Sequence, residues 1–217
     1  MNEIIQLPYL EPWNWQQFHR HFALRLLPGV EWLDVDGYAR TLRLGEACGW
    51  LHVRAQADRP ALELTLSDSL QQATQPLVGQ VRRMFDLDAD PQAIATHFAS
   101  DPARGPLIAA NPGLRLPAAY DPFEQAVRAV VGQQVTVKAA VTITRRLVER
   151  LGEPLQDALP GLEMLFPTAQ AIADDPLDNI GMPSKRAQAL RRLAAAVAEG
   201  ALQLHVEDGA DALVQRL

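Results

Sequence analysis

Residues 121–151, DPFEQAVRAVVGQQVTVKAAVTITRRLVERL, constrain this chain more than any other stretch, because they read as two helices meeting at a short polar corner, Gly132-Gln133-Gln134. Asp121 suits an N-cap, Pro122 the first turn, and Glu124 stands three residues on, as a capping box requires. Phe123, Ala126, Val127, Val130 and Val131 recur at helical spacing and form one apolar stripe, with Glu124, Gln125 and Arg128 on the other face. The second helix repeats the scheme with Val137, Val141, Leu147, Val148 and Leu151. Two buried faces therefore flank a corner carrying two amides. Such amides donate and accept hydrogen bonds, which suits base edges or a partner and equally suits a solvated turn.

The 217-residue length fits one large or two small domains, and a 48% hydrophobic content is ample for a core. No stretch approaches the roughly 20 apolar residues of a membrane span, and MNEIIQLPYLEP is not a basic segment followed by an apolar one. Cys48 is the single cysteine, so no intrachain disulfide and no cysteine-based zinc site can form. A soluble protein of the reducing cytoplasm is expected. The formal net charge of −6 argues mildly against nucleic acid, since counterion release needs clustered cations. The basic residues are nonetheless almost all arginine, suited to phosphate and base stacking, and they gather at Arg145, Arg146 and Arg150 and at Lys185, Arg186, Arg191 and Arg192. Each cluster reads either as a local DNA-binding patch or as a solvated face.

In chain order, residues 11–27 read as a helix with Trp15, Phe18, Phe22 and Leu26 on one stripe, stopped by Pro28-Gly29. From Val30 to Leu66 the period falls to two, giving antiparallel strands near Tyr38–Leu44, Cys48–Ala55 and Ala61–Leu66 joined by short turns. Helical spacing returns with Leu70, Leu77, Val81 and Phe85, and Asp90-Pro91 opens a helix through Phe98. Residues 1–99 are thus expected to form an α+β domain. Residues 100–120, rich in proline and glycine, read as an extended connection, and residues 121–217 as an all-helical domain. Within the latter, a helix starts near Thr168, Asp174-Asp175-Pro176 opens a short helix closed by Gly181, and a basic-faced helix follows Pro183 with Ala187, Leu190, Ala194 and Val197 inward.

Self-contained catalytic motifs are missing: there is no glycine-rich phosphate loop, GxSxG elbow or HExxH. His19 and His21 point to different sides of a helix, and His52, His97 and His205 have no ligand pattern beside them, so no metal or cofactor is expected. Asp174, Asp175 and Asp178 mimic a metal site in spacing, but the following Pro176 favours capping. Trp13, Trp15, Phe18, Phe22 and Trp32 form an aromatic group that suits stacking an extruded, electron-poor base and suits a core equally well.

Taken together and in order, YARTLRLGE, VRRMFDLDADP, NPGLRLP, DPFEQAVRAVVGQQVTVKAA, LFPTAQ and IGMPSKRAQALRRLA resemble the AlkA-type branch of the helix-hairpin-helix DNA glycosylases, the bacterial 3-methyladenine DNA glycosylase II family. The resemblance implies an α+β N-terminal domain, an antiparallel sheet with helices like half of a TATA-binding protein, followed by an all-α glycosylase domain. It implies base-excision repair: an alkylated purine is flipped from double-stranded DNA and its N-glycosidic bond hydrolysed without metal or cofactor, an aspartate stabilising the oxocarbenium charge. Gly132-Gln133-Gln134-Val135 matches the loop that inserts a side chain into the minor groove, with Gln134 as a polar wedge where some relatives have an aliphatic one. Where the family places an aromatic residue at the edge of the base pocket this chain departs from it with His21, with Phe22 adjacent and either ring able to stack, and Lys185, Arg186 and Arg191 are the candidate phosphate contacts.

The resemblance places the hairpin and the catalytic aspartate beyond Leu217, and neither Asp174, Asp175 and Asp178 nor Asp208 and Asp211 of the lead-in helix fills that role. The expectation is then an incomplete glycosylase domain without catalytic activity of its own, or alternatively a non-catalytic homologue that binds damaged DNA or a protein partner. A third reading, a regulator in which such a domain follows a methyl-transfer domain, would need a segment before Met1. The apolar stripes of residues 136–151 and 184–200 are expected to lie uncovered, which would promote self-association.

Overall fold

The computed structural model describes residues 4–205 and 209–216. The chain divides into two compact units, residues 1–26 with 31–120 and residues 27–30 with 121–217.

The first unit is built on a five-stranded antiparallel sheet of order β1-β5-β4-β3-β2, with β1 at Ile4–Pro8, β2 at Glu31–Leu33, β3 at Gly37–Leu44, β4 at Ala47–Ala55 and β5 at Ala61–Leu66. Alternation decides which face is buried: Leu62, Leu64 and Leu66 of β5 are sealed while Glu63 and Thr65 are half-exposed. Opposite them in register stand Ala55, Val53 and Leu51. Helices α1 (Trp15–Ala23) and α2 (Thr74–Met84) supply Phe18, Phe22, Leu77 and Val81 to the same core, joined by Phe85. The strand at Ile4–Pro8 has no counterpart in the sequence reading; it pairs with β5 through Leu7 opposite Leu62. The N-terminal helix is also shorter than expected, starting after Asn14 and ending at Ala23 rather than at Pro28.

Helix α3 (Pro91–Phe98) is capped by the Asp90 carboxylate, which accepts from the amides of Gln92 and Ala93. Residues 100–120 are not wholly extended: α4 (Gly105–Ala110) forms there, and Arg115, only 3% exposed, fixes the segment after it. Its guanidinium donates to the carbonyls of Asp86 at 2.9 Å, Ala89 at 2.6 Å and Pro12 at 3.3 Å, and to that of Leu10. Satisfying several buried carbonyls with one side chain is what allows an irregular segment to sit against the sheet unit.

The second unit contains α5 (Pro122–Val131), α6 (Val137–Leu151), β6 (Pro154–Leu159), β7 (Leu162–Met164), α7 (Ala169–Asp174), α8 (Ser184–Ala198) and α9 (Ala210–Arg216). It is therefore not purely helical, because β6 and β7 form an antiparallel ribbon between α6 and α7. Val127, Val131, Ile143, Leu147, Ile172, Ala187, Leu190 and Ala194 make its core. The stripes on α6 and α8 expected to lie uncovered are thus largely buried within this unit, and the reason given for self-association falls with them. Val137 is an exception at 46% exposed, and Val197 is only half-buried. Glu124, placed by periodicity on the outer face of α5, is instead 5% exposed and paired with Arg128 at 2.7 Å.

The short helix expected after Asp174 is a turn. Asp175 accepts from the Leu177 amide at 2.7 Å, and Leu177, Asn179 and Gly181 all take positive φ, which interrupts any helical run. Leu177 and Ile180 fold inward to the core.

Candidate nucleic-acid interface

The corner between α5 and α6 is built by caps on both sides. Asp121 holds the start of α5 by accepting from the amides of Phe123 at 2.7 Å and Glu124 at 3.0 Å. Thr136 caps α6, its hydroxyl accepting from the Ala139 amide at 3.2 Å. Val131 anchors the end of α5 with no exposed surface. From this fixed base every residue from Gln133 to Lys138 is exposed. Gln134 adopts φ 55°, a left-handed conformation uncommon outside glycine, so the backbone reverses sharply and turns successive side chains apart. Neither glutamine amide has a hydrogen-bond partner among the described residues. By contrast Gln80 donates to the Tyr120 carbonyl and Gln170 to Asp174. Beside the amides lie Val135, 36% exposed, and Val137, so the corner presents donors, acceptors and a small apolar surface together.

The arginines of α6 have another employment. Arg150 grips Asp175 with Nε to Oδ2 at 2.9 Å and Nη2 to Oδ1 at 2.8 Å, and Nη1 donates to the Asp178 carbonyl at 2.7 Å. Arg146 donates to the Ile180 carbonyl at 3.3 Å, lying so close over Gly181 that a Cβ there would come within 2.6 Å of its Nη1. Arg145 pairs with Glu149 one turn along. This cluster is therefore more than a solvated face: two of its three members clamp the turn at 175–181.

The α8 candidates separate in the same way. Lys185 is exposed and Arg186 half-exposed at the start of the helix. Arg191 is half-buried and donates through Nε and Nη2, both at 3.2 Å, to the Ala173 carbonyl near the end of α7. Its head group serves the packing of α7 on α8.

In the first unit, His21 and Phe22 have different surroundings although they are neighbours. Phe22 is 8% exposed and stacks on Tyr38 at 4.5 Å, so its ring belongs to the core and is not a free pocket wall. The His21 ring is half-buried and meets Phe22 edge to face at 5.6 Å. Burial lowers its pKa, the neighbouring Arg25 lowers it further, and Glu31 opposes both, leaving the imidazole neutral near neutral pH. The other aromatics follow the core reading: Trp13 stacks on Phe18 at 4.8 Å, and Trp15 donates its indole NH to the Val35 carbonyl at 2.7 Å. Trp32 lies 6.0 Å from His52, whose pKa is also lowered, chiefly by burial.

Among the described residues no group of three His, Cys, Asp or Glu side chains is placed to hold a metal ion, and no helix is long and apolar enough to cross a membrane. Asp208 and Leu217 lie outside the described residues, while Asp211 is in the first turn of α9.

A helical unit that offers a capped, solvent-facing amide corner and follows a five-stranded α+β unit matches known repair proteins in both halves. Residues 4–121 match the AlkA N-terminal domain, and residues 127–216 match the HhH-GPD superfamily base excision DNA repair proteins. The chain belongs to the AlkA-type family of base-excision DNA glycosylases. It is 38% identical over 203 residues to DNA-3-methyladenine glycosylase 2 of Escherichia coli, covering 92% of this chain and 69% of that protein. A probable bifunctional transcriptional activator/DNA repair enzyme AlkA of Mycobacterium tuberculosis is 34% identical over 202 residues, 92% of this chain but 40% of the relative. Among solved structures, the 3-methyladenine DNA-glycosylase of Archaeoglobus fulgidus superposes with TM-score 0.71 at 18% identity, covering 88% of this chain and 66% of that one. The 8-oxoguanine glycosylase/lyase of Clostridium acetobutylicum, in complex with double-stranded DNA containing cytosine opposite 8-oxoguanine, gives 0.55 at 15% identity over 82% and 68%. These likenesses establish the helix-hairpin-helix glycosylase fold.

Proposed function

We propose that the chain serves the excision of alkylated purines of the 3-methyladenine type from duplex DNA, a metal-independent hydrolysis of the N-glycosidic bond for which none of its own aspartates is assigned as the catalytic group, and that its α5–α6 corner engages the DNA where the base has left the stack. The observation that carries this reading is the pair of unpartnered, exposed amides on a corner held by caps at Asp121 and Thr136. Extruding a base leaves a gap in the duplex that costs a few kcal/mol of stacking and pairing. A side chain presented from a rigid reversal offsets part of that cost, since little of its own freedom remains to be lost. Gln134 is the wedge, with Gln133 and Val135 flanking it. Lys185 and Arg186 are the phosphate contacts, and Arg191 is withdrawn from that role by its bond to Ala173.

His21 serves as the aromatic edge of the base pocket. An alkylated purine carries positive charge on its ring, and a neutral imidazole offers it a π face without repulsion, which a protonated one would not. The lowered pKa of His21 suits that task.

The test is fluorescence anisotropy of the 217-residue chain on duplexes with and without a tetrahydrofuran abasic analogue. Binding about 10-fold tighter to the gapped duplex is expected; each of Lys185→Ala and Arg186→Ala weakens both complexes and lowers the salt slope by about 1. Equal affinity for the two duplexes defeats the reading. The chemistry is read from release of free 3-methyladenine from methylated duplex by the protein isolated from its own cells.

A further inference from the structure

We propose that the outer face of α1 grips the phosphate backbone of duplex DNA through Arg20, a sequence-independent contact supplied by the first unit. This contact rests on the proposed binding of duplex DNA and is independent of the placement of the α5–α6 corner in the gap.

The helix sets the direction of Arg20. Phe18 and Phe22, one turn apart, both enter the core of the first unit, so Arg20, midway between them in sequence, lies on the opposite side of α1 and is exposed. Its Nε donates to the Gln16 carbonyl at 3.3 Å, one turn back on the same helix, and no carboxylate is bonded to it among the described residues. Other arginines of the same unit are committed to acids: Arg54 to Asp36, Arg59 to Asp58, Arg82 to Asp88 and Arg104 to Asp101. A guanidinium with one donor used and the rest facing water keeps the planar fork that matches two phosphate oxygens.

The surroundings of Arg20 leave its charge standing. No aspartate or glutamate occurs between Pro12 and Val30, and Arg25, exposed just past the end of the helix, adds a second positive charge. Acids on the strand and turn packed against α1 are engaged. Glu31 is buried and accepts from the Tyr38 hydroxyl at 2.8 Å. Asp34 and Asp36 belong to the turn that Trp15 meets through the Val35 carbonyl, whereas Arg20 stands in the last turn of the helix. Asp34 accepts from the Gly37 amide at 2.7 Å, and Asp36 holds Arg54 at 2.8 Å. At physiological ionic strength, charges more than about 8 Å away are largely screened. The net charge of −6 therefore does not set the sign of this face. A cation in the last turn also complements the helix dipole, a role that Arg20 fills with or without DNA, so binding and folding are read separately.

The measurement is fluorescence anisotropy of the 217-residue chain on intact duplex over a range of salt concentrations. Arg20→Ala is expected to weaken binding about 3- to 10-fold and to lower the salt slope by about 1, by the same factor on duplexes of unrelated sequence and on gapped duplex. Arg20→Lys should keep the slope, because an ammonium still neutralises a phosphate. Arg54→Ala removes another exposed charge, one already held by Asp36, and should leave affinity and slope unchanged. An unaltered cooperative melt of Arg20→Ala verifies the fold. An unchanged slope in Arg20→Ala overturns the contact. So does an equal loss from Arg54→Ala, which would make the effect one of net charge, and so does a loss confined to gapped duplex, which would assign Arg20 to the lesion. These outcomes leave the gap-binding reading standing, since that is judged on the ratio of gapped to intact duplex in the unmodified chain. Equal affinity for those two duplexes defeats the gap reading and leaves the Arg20 contact to its own slope. An unmodified chain that binds no duplex overturns both.

Discussion

Two polar regions flank helix α6, and they spend their hydrogen-bonding groups in opposite ways. Arg146 and Arg150, on its C-terminal half, turn back onto the carbonyls of Ile180 and Asp178 and onto the Asp175 carboxylate. The side-chain amides of Gln133 and Gln134, just before its N-terminus, donate to and accept from nothing among the described residues. From the sequence both regions read two ways, the arginines as a DNA patch or a solvated face and the glutamines as a DNA contact or an ordinary turn. The structure shows that Arg146 and Arg150 are engaged within the fold while the glutamine side chains are exposed. A charged group's availability depends on whether an irregular segment nearby has carbonyls to satisfy, and the turn at 175–181, broken by three residues with positive φ, has several.

The contrast is broken most severely by removing a side chain that is wholly committed to the fold. Arg115 is the extreme case, buried and bonded to backbone carbonyls at four positions in the first unit. Arg115→Ala strands those acceptors and opens a cavity, and should lower stability by about 3 kcal/mol or more in urea unfolding. A loss below about 1 kcal/mol would show that the irregular segment does not depend on it. Arg150→Ala tests the committed side of the α6 comparison and is expected to cost about 1 kcal/mol, the value being held down because its side chain is 38% exposed. Arg150→Lys should recover less than half of that, since an ammonium cannot reproduce the two parallel bonds to Asp175. If Arg150→Ala instead weakens DNA binding without changing the unfolding midpoint, the clamp is an interface after all.

Much of the fold was legible because periodicity and turn chemistry agree with the packing. The strands expected near 38–44, 48–55 and 61–66 and the helix starts at Asp90, Asp121 and Thr168 are read from the residues with little error, whereas the Thr136 cap appears only in the structure. What escaped has identifiable causes. The strand at Ile4–Pro8 is too short to show a period, and only its partner β5 makes it a strand. The ribbon of β6 and β7 has a register irregularity and an unbroken apolar pattern in neither strand. Glu124 reads as outward because a carboxylate on an amphipathic helix normally is; Arg128 one turn on lets it go inward. At the candidate site the corner itself was legible, since two adjacent glutamines after a glycine interrupt two apolar stripes. Which neighbouring cations were already engaged was not, because the partners of Arg150 and Arg191 are 25 and 18 residues away and are backbone carbonyls or a capping aspartate that sequence gives no reason to pair with them.

The smallest effect expected on stability is at the free corner, and it sharpens the comparison most. Replacing Gln134 with glycine relieves a left-handed conformation that costs an L-residue about 1 kcal/mol. It also gives the unfolded chain extra freedom worth about 0.5–1 kcal/mol in the opposite direction. With no intramolecular hydrogen bond to lose, the two contributions nearly cancel, and the unfolding free energy should change by less than about 0.5 kcal/mol in either direction. Gln133→Ala, on an exposed residue with no partner, belongs in the same range. A destabilisation above 1 kcal/mol from either substitution would mean that the amides hold the corner together, and their value as DNA contacts would then be inseparable from their value to the fold. A silent unfolding profile combined with altered affinity for gapped duplex assigns the amides to the ligand, as the arginines on the far half of the same helix are assigned to the protein.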